Sequence, residues 1–374
     1  MLQVRVDTQV DEIQWDKLVA GALGGNIFQS ARWAGYLESY LGLKNCFFRV
    51  EEKESSTPLA LLHATRESVF HKALFEHPVG RNLTHLADRL AADLTWETGP
   101  VFLCENARKP EVLGVLLTFL EQFCRREGIV CLGGTLADIY ESRDEKDSNS
   151  PDHDLEDVFK ERGYLAEERA TFLTALDSDE GSQWKGLKPP ARNKVRRCRD
   201  RGVTVERIED ESHLSEYHDF FCNCRRSLGL KSPSMRNFTK MWASLRPAGM
   251  LEIFTATAGD GDILGGLGLW QFAGVIYEWG VVQSERARRE KLFTSDLLKW
   301  EVIRWGGSRG HRLYDLAGVE PAPERADPKL RGIYEFKAKW GGVYRSFNKY
   351  SMPVRKTRHR LLRLGCGLAR RVVG

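Results

Sequence analysis

Residues 189–203 read PPARNKVRRCRDRGV, a strongly basic run that begins on proline and ends near glycine. Proline suits the first turn of a helix, and glycine suits the left-handed residue that follows the last turn. Ala191, Val195 and Cys198 are spaced i, i+4 and i+7, so that these three side chains can face a core. The run therefore predicts a short helix with one apolar face and several cationic faces.

Nearly all charges of this helix are positive, and only Asp200 offsets them. Arginine pairs bidentately with phosphates and carboxylates through its planar guanidinium group. The pattern predicts that Arg192, Asn193 and Arg196 bind an anionic part of a substrate. The alternative is a solvated charged face, which is disfavoured because like charges on one helix repel each other.

The composition is that of a globular protein with two domains. The chain has 374 residues, of which 42% are hydrophobic and 29% are charged, and its net charge is +4. Residues 138–161 are mostly acidic, whereas 185–201 and 355–371 are basic. No apolar stretch reaches the ~20 residues that span a bilayer, and the first residues lack the apolar region of a signal peptide. We therefore expect a cytoplasmic protein.

Cysteine and histidine spacing gives no sign of a metal site. The chain has eight cysteines without a CxxC pair, and its nine histidines show neither HExxH nor HxxxH spacing. We expect free thiols and no metal.

The second half of the chain predicts a regular order of elements. A strand over 164–176 precedes the basic helix, and helices follow near 211–228 and 234–245. Strands over 251–257, 263–271 and 275–282 are joined by short turns and form an antiparallel meander. A helix from 294, a strand at 312–316, a loop at 319–328, a helix at 329–340 and a strand at 343–350 complete the order. The acidic residues 140–157 are predicted to form a surface loop.

Several short segments together resemble a known family. They are residues 28–33 (FQSARW), 99–101 (GPV), 170–173 (ATFL), 192–203, 313–319 (LYDLAGV) and 334–342 (YEFKAKWGG). In this order they resemble the Fem family of peptidoglycan interpeptide-bridge aminoacyltransferases and the related GNAT-like acyltransferases, including the BioF2-like group.

The resemblance implies an α/β fold of two tandem GNAT-like domains with a substrate groove between them. Each domain is expected to hold a mixed, mostly antiparallel sheet flanked by helices. We place the domains at residues 1–160 and 161–350, followed by a basic tail at 351–374. In the family the donor is an aminoacyl-tRNA and the acceptor is an amine of a peptidoglycan precursor, with no separate cofactor.

The resemblance also implies site residues. Lys337 occupies the position of the family lysine that stabilises charge near the reacting ester, a role that suits a fixed cation beside an oxyanion. Apart from the resemblance, Asp315 lies at a strand end beside Gly318, where α/β folds commonly place functional side chains, and it is expected to accept a proton from the attacking amine or to orient a neighbour. Tyr314 and Trp33 lie in matching segments and are expected to contact substrate.

An ordinary structural role stays open for each of the two predicted catalytic residues. Lys337 could be an ordinary lysine of an amphipathic helix, and Asp315 could cap a turn. In that helix the apolar residues predicted to face inward are Leu330, Ile333, Phe336 and Trp340.

Two departures bear on donor and acceptor. GNAT enzymes hold the diphosphate of coenzyme A on a glycine-bearing loop, but residues 284–292 contain no glycine. This favours tRNA over coenzyme A as the carrier. Fem enzymes commonly carry a lysine soon after the N-terminal tryptophan, whereas the first lysine after Trp33 is Lys44. The acceptor therefore stays open between an anionic cell-envelope precursor and a related metabolite.

Three functions remain in view. The first is aminoacyl transfer from tRNA, the second is N-acyl transfer from an acyl-CoA to a sugar polymer or small molecule, and the third is RNA or polyanion binding without catalysis. We expect no DNA partner. Residues 355–373 mix seven cations with leucines and valines, which predicts contact with the inner membrane surface, an RNA-binding arm or a disordered tail.

Overall fold

The chain divides into two compact units. The computed structural model describes residues 1–68, 91–141, 152–324 and 327–362. The first unit comprises Met1–Glu168 with Phe347–Gly374, and the second comprises Arg169–Ser346. Across these described ranges, no helix has the length and apolar character needed to cross a membrane.

The first unit contains a sheet in the order β1-β2-β3-β4-β6-β13, with β5 paired to β3. The β4–β6 pair is parallel, and the other pairs are antiparallel. The strands are β1 (Leu2–Asp7), β2 (Lys44–Glu52), β3 (Pro58–Ser68), β4 (Ala92–Thr95), β5 (Val101–Phe102), β6 (Cys131–Thr135) and β13 (Val343–Pro353). The helices are α1 (Glu12–Gly21), α2 (Ala31–Leu41), α3 (Lys109–Glu127) and α4 (Asp152–Glu161).

Helix α3 closes the core of this unit. Val112, Leu116, Leu120 and Cys124 are spaced four residues apart and are buried, so that they form one apolar stripe over the sheet. The helix ends at Gly128, which adopts the left-handed conformation (φ 73°) that glycine tolerates best.

The prediction of a loop through residue 157 is wrong from Asp152 onward, where α4 begins. Leu155 and Phe159 lie four residues apart and are buried, and the Phe159 ring stacks on Tyr350 with 4.0 Å between ring centroids. Two apolar side chains on one face thus suffice to dock an otherwise acidic helix. Residues 142–151 of the predicted loop lie outside the described residues.

The segment at 28–33 folds around the fully buried amide of Gln29. Its Nε2 donates to the Glu97 carbonyl (2.7 Å), and its Oε1 accepts from the His63 backbone N–H (2.8 Å). The His63 ring contacts the Phe28 carbonyl (3.0 Å) and Asn45 Oδ1 (2.9 Å), and burial lowers its pKa to about 4. The segment is therefore a buried polar network of the first unit.

Replacing Gln29 with leucine tests this network. Gln29→Leu keeps the side-chain volume but leaves buried backbone groups of Glu97 and His63 without partners, so that the free energy of unfolding should fall by about 2–3 kcal/mol. Gln122→Leu changes an exposed glutamine on α3 and is the control. Urea titration measures both. Equal losses in the two variants would contradict the account.

The second unit contains a sheet in the order β7-β12-β11-β10-β9-β8. Strands β11 and β12 run parallel, and the other neighbours are antiparallel. The strands are β7 (Leu165–Ala175), β8 (Thr204–Arg207), β9 (Leu251–Thr257), β10 (Ile263–Phe272), β11 (Val275–Gln283) and β12 (Leu313–Val319). The helices are α5 (Glu180–Gly186), α6 (Pro189–Asp200), α7 (Leu214–Arg226), α8 (Met235–Leu245), α9 (Glu285–Arg289), α10 (Thr294–Ser308) and α11 (Pro328–Lys337).

This architecture confirms the predicted fold class, a mixed α/β protein with mostly antiparallel sheet and flanking helices. The basic helix is α6, and Ala191, Val195 and Cys198 are fully buried as predicted. The 251–282 meander is also confirmed. The paired residues of β11 and β12 are Val275–Tyr277 and Leu313–Asp315. The pairing therefore covers only the start of β11.

The predicted inward face of helix α11 is wrong in its first two members. Leu330 and Ile333 are 37% and 38% exposed. Trp340 is buried but lies beyond the helix, which ends at Lys337. A Cβ on Gly342 would lie 2.8 Å from Thr174 Oγ1, so that the chain approaches β7 closely there. Within α11, Tyr334 and Phe336 pack against the core, so the inward face of the helix is shorter than predicted.

The basic tail is described only in part. Residues 351–353 of the predicted tail belong to β13, residues 356–362 are helical, and residues 363–374 lie outside the described residues.

Candidate active site

Strand β12 carries a bulge at Ala317 and Gly318. Its register against β7 shifts between Asp315 and Gly318, and Ala317 adopts a left-handed conformation with φ 61°. A non-glycine residue in this region costs roughly 1–2 kcal/mol. The surrounding structure must therefore hold the bulge in place.

The buried carboxylate of Asp315 holds the bulge. Its Oδ1 accepts the Ala317 backbone N–H at 2.8 Å and the Thr171 hydroxyl at 2.5 Å. The Thr171 oxygen also lies 3.0 Å from the Ala317 carbonyl oxygen. In this geometry Asp315 orients the backbone of residues 317 and 318.

The Lys337 ammonium lies against the same bulge. Its Nζ donates to the carbonyl oxygens of Ala317 and Gly318, both at 3.0 Å. Burial lowers the pKa of Lys337, the charges of Glu278 and Asp315 raise it, and the charge of Lys299 lowers it; together these effects leave the pKa at about 8. An ammonium has three N–H groups, so one remains to meet a ligand.

A buried charged cluster lies within electrostatic reach of Lys337. The Glu278 carboxylate accepts from the Lys299 ammonium and from the Tyr314 hydroxyl through Oε2. Lys299 and Tyr314 are fully buried, and burial raises the pKa of Tyr314 well above its ordinary value. Tyr314, predicted to contact substrate, lies in the core, where its hydroxyl holds Glu278.

The Arg192 guanidinium of the basic helix binds backbone carbonyl groups. Its Nη1 donates to the carbonyl oxygens of Leu187 (2.6 Å) and Lys185 (3.0 Å) at the end of α5. Cations favour the carbonyl end of a helix. Arg192 therefore fixes α5 against α6.

The exposed face of α6 presents the other predicted anion ligands. Asn193 and Arg196 are exposed, and the Arg196 guanidinium lies 5.4 Å from the Trp184 ring centroid. Lys194 and Arg197 lie 5.2 and 5.1 Å from the ring centroid of Phe293, just before α10. These rings orient the cations without neutralising their charge.

The structure thus joins some predicted residues and separates others. Lys337 and Asp315 meet at Ala317, whereas Arg192, Asn193 and Arg196 line α6. Trp33 belongs to the first unit, where its buried ring packs against Phe28 and Tyr36 at centroid distances of 5.6 and 5.2 Å.

Three residues were not predicted from the sequence, namely Thr171, Glu278 and Lys299. The sequence does contain a signal for the two charged residues, Lys299 and Glu278. Lys299 interrupts an apolar run of α10, and Glu278 follows Ile276 on the inward face of β11. A charge at a core position is rare unless it is paired. No comparable signal marks Thr171.

Two threonines of β7 allow a matched test of the bulge. Thr171→Val removes the hydroxyl that binds Asp315 and should lower the free energy of unfolding by about 1–3 kcal/mol. Thr174 is equally buried, but its hydroxyl has no hydrogen-bond partner within the described ranges. Thr174→Val should therefore be neutral or stabilising. Urea titration compares them, and a Thr174→Val loss as large as that of Thr171→Val would refute the assignment.

Comparison with known proteins gives a family match for part of the chain. Residues 190–338 match the family described as Acetyltransferase (GNAT) domain. This part of the chain is a GNAT domain and the protein is an acyltransferase, which confirms the predicted resemblance at that level. No curated protein sequence matches the chain.

Solved structures share the fold over nearly the whole chain. FemX is 14% identical with a TM-score of 0.69, covering 92% of this chain and 96% of its own. A tandem GNAT protein from the clavulanic acid biosynthesis pathway is 13% identical with a TM-score of 0.54, covering 95% and 99%. L-PGS from Bacillus licheniformis is 12% identical with a TM-score of 0.53, covering 95% and 96%. At these identities the similarity shows a shared fold.

Proposed function

We propose that this acyltransferase forms an amide on an amine of a cell-envelope precursor or related metabolite, with aminoacyl-tRNA as the donor. The observation that carries the proposal is the Lys337 ammonium, which lies on the strained bulge of β12 with one N–H left over. The likeness to FemX and the Fem-type segments support aminoacyl transfer. A tRNA donor also implies that the protein works in the cytoplasm.

The reaction needs stabilisation of one negative charge. The acceptor amine attacks the ester carbonyl of the donor, a C–N bond forms, and the carbonyl oxygen becomes an oxyanion. The ester C–O bond then breaks. The proton lost by the amine goes to the departing ribose oxygen, which becomes a hydroxyl group. The remaining N–H of Lys337 is the donor to the oxyanion. A preorganised donor of this kind contributes ~3–4 kcal/mol to lowering the barrier.

The segment after β11 supports a carrier other than coenzyme A. Residues 285–289 form the short helix α9 in place of a glycine-bearing loop. Its Arg286 is engaged by Asp260 (2.8 Å) and Asp262 (2.5 Å). The exposed cations of α6, including Arg196 and Arg197, offer an alternative surface for the phosphates of a tRNA.

The match to the GNAT family keeps acyl-CoA as the second candidate donor. Calorimetric titration with acetyl-CoA, and in parallel with bulk aminoacylated tRNA, separates the two. Submicromolar binding of acetyl-CoA would overturn the inference drawn from α9. Tight tRNA binding without any acylated product would favour RNA binding without catalysis.

Removing the Lys337 ammonium tests the proposed mechanism. Lys337→Ala should keep its fold and lose transfer by roughly 100- to 1000-fold, because the oxyanion loses its donor. Lys329→Ala removes an exposed ammonium from the same helix and is the matched control. Transfer from tRNA charged with radiolabelled amino acids to a peptidoglycan precursor is the readout.

Because the Lys337 ammonium must be charged to stabilise the oxyanion, the wild-type transfer rate should fall as pH rises through about 8. With an acceptor amine that is already deprotonated in this range, the absence of such a fall would refute the proposed role.

A further inference from the structure

A basic segment with two exposed leucines lies outside the site described above. Helices α7 and α8 are joined by residues 227–234, and no aspartate or glutamate occurs between residues 220 and 251. The cations of this stretch are Arg225, Arg226, Lys231, Arg236, Lys240 and Arg246. The joining loop therefore lies in a field of one sign.

The loop presents Leu228 and Leu230 to solvent on either side of Gly229. These leucines are 59% and 46% exposed, and Gly229 adopts φ 68°. The backbone N–H groups of Leu228 and Leu230 both donate to the Arg225 carbonyl at 3.0 Å. The turn is thus hydrogen-bonded to the end of α7, so that its leucines are held outward in a fixed position.

The cations beside the turn bind neutral oxygens. Arg225 Nε donates to the Lys231 carbonyl (2.7 Å), and Arg226 Nη1 donates to Asn223 Oδ1 (2.8 Å). Arg288 of α9 donates to Ser227 Oγ (3.3 Å) and adds a further cation. Within the described part of the chain, no ion pair neutralises Arg225, Arg226 or Lys231.

We infer that this turn docks the protein onto an anionic lipid bilayer. Leu228 and Leu230 would enter the acyl-chain boundary, and Arg226 and Lys231 would contact lipid phosphates. A turn with exposed aliphatic side chains beside Arg225, Arg226 and Lys231 complements a negatively charged, deformable surface. The inference is independent of the proposed donor and acceptor.

Vesicle binding by the full-length chain tests the inference. Wild-type protein should cosediment with phosphatidylcholine vesicles containing phosphatidylglycerol, and much less with pure phosphatidylcholine. The double variant Leu228→Ser, Leu230→Ser keeps every charge and should bind the anionic vesicles roughly tenfold more weakly. Leu165→Ser changes another exposed leucine (61% exposed) and should bind like wild type. Thermal unfolding checks that each variant is folded.

A second variant reports insertion directly. The fluorescence of the introduced tryptophan in Leu228→Trp is obtained by subtracting the wild-type spectrum. This difference spectrum should shift to shorter wavelength when anionic vesicles are added. If the basic residues 355–371 alone bind the vesicles, the double variant will bind like wild type and the introduced indole will keep its solvent-exposed emission. If the turn binds a protein partner instead, no binding to either vesicle will be seen. Either result overturns the inference, and neither affects the proposed acyl transfer.

Discussion

The candidate site depends on one interaction, the donation of the half-buried Lys337 ammonium to the carbonyl oxygens of Ala317 and Gly318. Both the ammonium and the backbone carbonyl groups gain a hydrogen-bond partner in this contact. The ammonium needs acceptors because it is partly withdrawn from water, and the Ala317 carbonyl is open to a donor because Ala317 lies in the register shift, without a paired residue on β7. The left-handed Ala317 supplies this geometry, and Asp315 with Thr171 holds it. The bulge thus forms a binding site for a cation within a sheet strand.

The charge around this binding site is set by buried groups. Glu278 binds both Lys299 and Tyr314, so that its carboxylate is fixed in an apolar environment. Its negative charge raises the pKa of Lys337 while burial lowers it. A pKa near 8 leaves Lys337 mostly protonated at neutral pH. The opposed effects keep a desolvated lysine charged, as stabilisation of an oxyanion requires.

Periodicity and turn chemistry sufficed for the elements of the second unit, because α6 and the β9–β11 meander carry strong local signals. The same reasoning missed α4, where two apolar residues in an acidic segment dock the helix onto the first unit. It also misplaced Leu330 and Ile333, because the residues of α11 that pack against the core are Tyr334 and Phe336. Lys337 was found through family resemblance and Asp315 through its place at a strand end, whereas Thr171 acts through a register shift that no local pattern reveals.

Lys337 is thus a desolvated but protonated cation bound to the β12 bulge, and the proposed chemistry depends on that state. An NMR titration of carbon-labelled lysine side chains measures this directly, with the Lys337 resonance assigned by its loss in Lys337→Arg. We predict a titration midpoint near pH 8. A midpoint near the ordinary lysine value of about 10.4 would place the ammonium in water and contradict the account.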